Sequence, residues 1–427
     1  MSPLPDRPAP IESSFQPIRH PLPIRMYNGL RPVLRRSGLL PTLEIETLLN
    51  QARRKTGLSF FGDEWFREPL GMLIKSVNEE ANLSSLGHTI IHQRLLNCLV
   101  TRLRAEALFL QYPEILEVDL GHVFVIAGLQ RTGTTLLHRL LWSDPRIRAS
   151  LSWEALNPVP LPGEKPGHPG VRIRQARFAQ QALKYIAPQF FAIHPVEYDM
   201  PEEDILLLDF SFMSQSAEAT MHVPGYASWL EKQDHQPAYE YLTKLMQLLH
   251  WQQPAQHWVL KSPNHMEHLD LILDLFPDAT VIQTHRDPQQ TMASFCSMVC
   301  HGSSLFSDTV EPLASAQHWL QKVKRMMQRS MDVRADRGEH QFVDLSYYAL
   351  IDDPLGQLEQ VYGQARVPFD DTARAAAVAS RQQQPQHKYG RHHYRLQEFG
   401  LSPALIEQEF GFYRERYDIP VESGRDR

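Results

Sequence analysis

Residues 125–135 read VIAGLQRTGTT: an apolar run, a glycine, four residues, a second glycine and two threonines. The run Val123–Ala127 suits a buried strand, and Thr134–Trp142 suits the helix that follows. Between them, Gly128 to Gly133 has the G-x-x-x-x-G spacing of a loop that lays backbone N–H groups against a phosphate. Glycine lets the backbone approach the anion closely, and the helix turns its positive end towards it. A Walker A loop continues with Lys and then Ser or Thr, whereas here Thr134 stands in the Lys position. The pattern predicts a bound phosphate without the usual lysine contact to a β- or γ-phosphate. Thr134 and Thr135 add hydroxyl donors, and Arg131 offers a planar cationic fork suited to phosphate or sulfate. A strand–helix turn with no ligand has the same glycine spacing. The strand context, the threonines and Arg131 favour the anion.

Outward from this loop the pattern is α/β. Strands are predicted at Val123–Ala127, His257–Leu260, Thr280–Thr284 and Gln341–Leu345. Helices are predicted at Thr134–Trp142, His265–Phe276, Gln289–Val299, Pro312–Arg334 and Pro354–Ala365. Short apolar strands alternating with helices imply a P-loop-like parallel sheet flanked by helices. Ligands of such sheets sit at the carboxyl ends of the strands, so residues ending the later strands are expected to converge on the first loop. Residues 1–40 are Pro- and Arg-rich and read as an irregular arm. Residues 41–115 read as a helical N-terminal region, whose Phe60, Phe61, Trp65 and Phe66 should pack. The α/β core is placed at 116–418, with a proline-rich substrate lid around 151–230. The last helix closes over Gly411–Asp418, and 419–427 reads as a frayed tail.

A length of 427 residues with 42% hydrophobic and 22% charged residues suits a globular chain with a large core. The net charge of −6 excludes nonspecific nucleic-acid binding as a main role, so an anionic ligand needs a local basic cluster. Three cysteines, Cys98, Cys296 and Cys300, make no disulfide framework. No apolar run reaches the roughly 18–20 residues needed to span a bilayer, and the N-terminus has no signal-peptide pattern. The expected location is cytoplasmic. Twenty histidines, among them His387, His392 and His393, invite a metal reading, but no Cys/His spacing supports one.

The second motif, VIQTHRDPQQTMAS at 281–294, delivers Arg286 from a strand, and Asp287-Pro288 then starts a helix. Arg286 and Ser294 could hold a second phosphate, although alone they better describe an Arg–Asp surface pair and a helix serine. Taken together, the two motifs resemble the sulfotransferase superfamily, whose donor is 3′-phosphoadenosine 5′-phosphosulfate (PAPS). The resemblance is to the bacterial branch with an R-[ST]-G-T-T-L-L loop and a helical N-terminal region, here Arg131 to Leu137. It continues through WVLKSPNH (258–265), FPDATVIQTHRDP (276–288) and HKYGRHHYRLQEFGL (387–401), covering about 110–418. It implies that Arg131, Thr132, Gly133, Thr134 and Thr135 hold the 5′-phosphosulfate, while Arg286 and Ser294 hold the 3′-phosphate. No γ-phosphate is present in that donor, which accounts for the missing lysine.

Lys261, in LKSP, ends a strand beside the loop, where a fixed cation would stabilise charge on the bridging oxygen of the donor. The resemblance gives Lys261 that role, against the alternative of a solvated strand-end lysine. Many cytosolic members carry a catalytic histidine two residues later, a position held here by Pro263. The resemblance instead implies a glutamate shortly after the first helix, and Glu154 matches that place. Burial beside Trp153 would raise its proton affinity. Glu202, Glu203, Asp204 and His194 compete for the role of base. Tyr347 is implied to contact adenine, and Lys388 and Gly390 to cover the nucleotide.

The implied activity is sulfuryl transfer from PAPS to an acceptor hydroxyl, with no metal. Phe190, Phe191, Phe210, Phe212, Tyr226 and Trp229 suggest a bulky apolar alcohol, phenol or lipid as acceptor. Two other readings compete. A P-loop phosphotransferase predicts dependence on ATP and Mg²⁺. A non-catalytic nucleotide-binding scaffold predicts binding without turnover.

Overall fold

The computed structural model describes residues 15–165, 167–383 and 394–422. Five strands form one sheet: β1 (His122–Ile126), β2 (Ile147–Arg148), β3 (His257–Lys261), β4 (Thr280–His285) and β5 (Phe342–Ser346), in the order β2-β3-β1-β4-β5. Every pairing is parallel, as the apolar strand runs predict. Period-two alternation splits β1 between two cores. Val123 and Val125 join the larger core, whereas Phe124 and Ile126 join a smaller one. The smaller core lies under helices Thr134–Trp142 and Pro354–Ala365, whose Leu137, Leu141, Leu358 and Val361 are buried. The larger core is covered by helices Ser85–Gln111, Gln236–Gln252, Pro288–Phe306 and Pro312–Arg337.

The sequence places four of the five strands within one residue at each end. It misses β2, which is only two residues long and too short for any alternation to register. The helix expected over His265–Phe276 is broken into a 3₁₀ turn at Pro263–Glu267 and a helix at Leu269–Leu275. The Ser262 hydroxyl accepts from Asn264 N–H at 3.2 Å and tightens that first turn. Within the arm expected to be irregular, the described residues 15–40 contain short helices at Leu22–Gly29 and Arg31–Arg36. Phe61 and Phe66 are buried as anticipated, but Phe60 is exposed.

The N-terminal helices are joined to the sheet region by a close backbone approach. Ser84 N–H donates to the Phe306 carbonyl at 2.9 Å, and Leu83 bridges Ser307. A Cβ on Gly87 would lie 2.0 Å from that same carbonyl oxygen. Neither backbone can retreat without breaking the contact. Gly87→Ala is therefore expected to cost about 1–3 kcal/mol or more. Urea denaturation followed by circular dichroism checks this, and an unchanged midpoint would contradict the contact.

Candidate active site

β1 lies between β3 and β4, so the loop after β1 is flanked by the ends of both. Ile126 pairs with Lys261 on one side and with Ile282 on the other. The chain reverses its direction of strand addition here, the place where open α/β sheets bind ligands. Gly128 sits hard against β4, and a Cβ there would meet Thr284 Oγ1 at 2.4 Å and Thr284 N at 3.0 Å. Gly133 has φ +90° and would crowd Leu350 and Tyr347. Arg131 adopts a left-handed φ of 69°, an uncommon conformation for a residue with a side chain.

The loop residues divide by burial. Thr132 is fully buried; its hydroxyl donates to the Leu129 carbonyl at 2.6 Å and meets Thr284 Oγ1. Its hydroxyl braces the loop against β4. Thr134 is buried at the start of the helix, whereas Arg131 and Thr135 are exposed. On the β3 side, Lys261 Nζ donates to the Glu203 carboxylate, and Lys261 N–H donates to Asp204 Oδ1 at 2.6 Å. Asp204 also pairs with His265, whose Nδ1 meets Tyr239 Oη at 3.0 Å. Burial alone would raise the Asp204 carboxyl, yet His265 and the Lys261 N–H hold it below its usual range. His138, on the helix after the loop, is pushed down to about 3 by burial and by the Lys261 charge, so it is neutral at pH 7.

Glu154 stands elsewhere in the cluster. It is 2% exposed, paired with Arg148, and accepts the Leu151 N–H at 3.0 Å. Burial raises its proton affinity, as expected, although Arg148 opposes the shift. Its carboxylate is thus committed to holding its own segment, whereas the carboxylate on Lys261 is that of Glu203. Three backbone bonds zip the two stretches together: Ser152 N–H to Met200 O, Trp153 N–H to Tyr198 O and Glu202 N–H to Ser150 O, each 2.9 Å. Glu202 accepts the Glu203 N–H at 2.9 Å. His194 closes the short helix Pro188–Ile193.

On the β4 side, Arg286 donates through Nη1 to the Arg131 carbonyl at 3.1 Å. Its guanidinium lies 4.1 Å from the Tyr347 ring centroid. The rest of its fork grips Glu422, with Nε at 2.8 Å and Nη2 at 3.3 Å from the two carboxylate oxygens. Burial would lower the Arg286 pKa, but the bond from Glu422 holds it raised. Tyr348 Oη donates to the same carboxylate at 3.0 Å, and Glu422 N–H donates to Asp287 Oδ2 at 2.7 Å. Asp287 also caps the next helix through Gln289 N–H at 3.0 Å. Ser294 is buried on that helix. The stretch Val421–Glu422, expected to fray, is therefore pinned. Tyr348, beside Tyr347, reads from the sequence as a candidate core residue, whereas here its hydroxyl binds Glu422; no local pattern marks Glu422. Lys388 and Gly390 lie outside the described residues.

The aromatic residues expected to line the acceptor pocket sit in or against the larger core. Phe210, Phe212 and Tyr226 are core residues, with Tyr226 Oη donating to the Phe212 carbonyl at 2.7 Å. Phe191 is also buried, and Phe190 and Trp229 pack against the same core. No group of three or more metal-ligating side chains able to hold an ion occurs among the described residues.

The loop after β1 thus lies between Lys261, which ends β3, and Arg286, just beyond β4, where open α/β sheets take their ligands. Residues 123–371, more than half of the chain, match the model of the sulfotransferase family, and the chain belongs to that family. The sulfotransferase STF1 of Mycobacterium tuberculosis has a similar structure, with 32% identity and a TM-score of 0.76 over 87% of this chain and 99% of its own. The sulfotransferase STF9 of Mycobacterium avium has 26% identity and a TM-score of 0.81 over 88% of this chain and 97% of its own. No curated protein matches the chain in sequence.

The Glu154–Arg148 pair yields a stability prediction. Glu154→Ala leaves Arg148 buried and uncompensated, which is expected to cost about 3–5 kcal/mol. A melting temperature equal to that of the parent would show that the pair carries no structural load.

Proposed function

We propose that the chain transfers a sulfuryl group from PAPS to an acceptor hydroxyl, with Lys261 as charge stabiliser and Glu203 as general base. The observation that carries this reading is the convergence of three strand ends: the Gly128–Gly133 loop after β1, Lys261 at the end of β3 and Arg286 just beyond β4. The Arg286 fork fits an anion, because the Glu422 carboxylate already occupies it with two oxygens. The donor supplies an activated sulfuryl group; the loop N–H groups with Arg131, Thr134 and Thr135 would hold its 5′ end. Arg286, with Ser294, would hold its 3′-phosphate, and Tyr347 its adenine. In the balanced step the acceptor oxygen forms a bond to sulfur. The bond from sulfur to the bridging oxygen breaks, and its electron pair leaves with 3′,5′-ADP. The acceptor proton passes to the Glu203 carboxylate, and Lys261 Nζ stabilises the charge gained by the bridging oxygen. Glu203 is favoured over Glu154 because it is the carboxylate in contact with Lys261. Glu154 is held by Arg148 and by the Leu151 N–H.

Calorimetric titration with 3′,5′-ADP, 5′-AMP and ATP–Mg²⁺ tests the donor. Tight 3′,5′-ADP binding is expected, and tight ATP–Mg²⁺ binding with indifference to 3′,5′-ADP would favour a phosphotransferase. Arg286→Ala should weaken 3′,5′-ADP far more than 5′-AMP; equal losses would remove Arg286 from the 3′-phosphate site. Glu422→Ala should tighten 3′,5′-ADP, since the nucleotide no longer displaces a carboxylate from Arg286. Once a screen with labelled donor has found an acceptor, Glu203→Gln should lower kcat about 10²–10⁴-fold while sparing 3′,5′-ADP binding. Parental turnover in that variant would return the role of base to Glu154 or His194.

A further inference from the structure

Residues 15–43 and 167–196 each contain no Asp or Glu. The first carries Arg19, Arg25, Arg31, Arg35 and Arg36, and the second Arg172, Arg174, Arg177 and Lys184. This concentration of positive charge occurs in a chain whose net charge is −6. The two stretches also touch. Arg19 N–H donates to Gln189 Oε1 at 3.2 Å, and His20 Nδ1 meets the Ile186 carbonyl at 3.1 Å.

Both stretches face inward on one side only. In the helix Leu22–Gly29, Ile24 and Tyr27 pack against the core, and Tyr27 Oη bonds Thr89 Oγ1 at 2.8 Å. In the helix Gly170–Ile186, Leu183 and Ile186 pack inward, while Arg172 and Ala176 are buried. The outward sides are apolar where solvent would call for polar groups. Leu22, Met26, Val33, Leu39, Phe178 and Tyr185 are each 58–76% exposed. Leu22 and Met26 are one helical turn apart, and Phe178 and Tyr185 are two turns apart, so each pair shares a face. Exposed Arg19, Arg25, Arg35, Arg36, Arg174 and Arg177 accompany these apolar side chains.

We propose that this joined basic and apolar surface docks on an anionic lipid bilayer. An amphipathic helix with arginines beside exposed leucine, methionine and phenylalanine suits the boundary between headgroups and acyl chains. The apolar side chains enter the boundary and the guanidinium groups meet the phosphates. A second copy of this chain is a poor occupant, because it would bring the same positive charge to the same place. A nucleic acid would satisfy the arginines but leave the apolar side chains in water. The helix Gly170–Ile186 is tied to the stretch that precedes Glu203, since Tyr198 N–H donates to Gln180 Oε1 at 2.8 Å. The proposal stands independently of the sulfuryl-transfer reading.

The test is co-sedimentation of the full chain with vesicles of phosphatidylcholine alone and of phosphatidylcholine with phosphatidylglycerol. Binding to the second kind only is expected, declining as salt screens the arginines. The double substitution Leu22→Glu with Met26→Glu should weaken binding about tenfold or more, as should Phe178→Glu, without lowering the melting temperature. Arg25→Gln with Arg35→Gln should flatten the salt dependence. Equal binding to both vesicles, binding to neither, or binding untouched by these substitutions overturns the proposal. So does a concentration-dependent dimer, seen by ultracentrifugation, that the apolar substitutions abolish while no vesicle is bound.

Discussion

The contact between Gly128 and Thr284 governs the arrangement of the site. A loop that passes this close to a neighbouring strand has room for a hydrogen and nothing larger. Thr132 reinforces the fit from the other side by bonding the same threonine hydroxyl. The loop is thereby referenced to β4 itself, and the ends of β3 and β4 fall on either side of it. Parallel register brings Lys261, at the end of β3, and Arg286, just beyond β4, to the same edge of the sheet.

The acidic candidates show how burial sorts similar residues into different tasks. Glu154, Glu203 and Asp204 lie on two segments zipped by backbone bonds, yet each has a different partner. Glu154 faces Arg148, which also lies 5.2 Å from the Trp258 ring centroid. Asp204 is fixed between His265 and the backbone of Lys261. Only Glu203 reaches the lysine ammonium among these three. Glu154 and Asp204 are buried with their partners, whereas Glu203 remains partly exposed.

Much of this was legible in the chain because local rules suffice for it. The glycine spacing, the apolar strand runs and the Asp287-Pro288 helix start each depend on neighbours within a few residues. The partners of buried charge do not. Arg286 and Glu422 are 136 residues apart, and Lys261 and Glu203 are 58 apart, so only the folded register brings them together. The choice between Glu154 and Glu203 was open for the same reason. A phenylalanine in a core and one in a binding wall have the same local sequence signature, so the sequence alone does not tell them apart. β2 was invisible because two residues hold no period.

The helix Pro288–Phe306 has a consequence for how the chain may be divided. Its first turn is capped by Asp287, which Arg414 of the last helix grips at 2.9 Å. Its last carbonyl receives Ser84, and Ser304 Oγ accepts the Ile18 N–H at 3.1 Å. A single rod thus carries attachments from both extremities of the polypeptide. The stretch that matches the family model, 123–371, contains the rod but neither set of attachments. Excised on its own, that stretch would bare the apolar faces that helices Ser85–Gln111 and Pro403–Arg416 cover. The stretch that the family model matches is therefore smaller than the portion that must fold together.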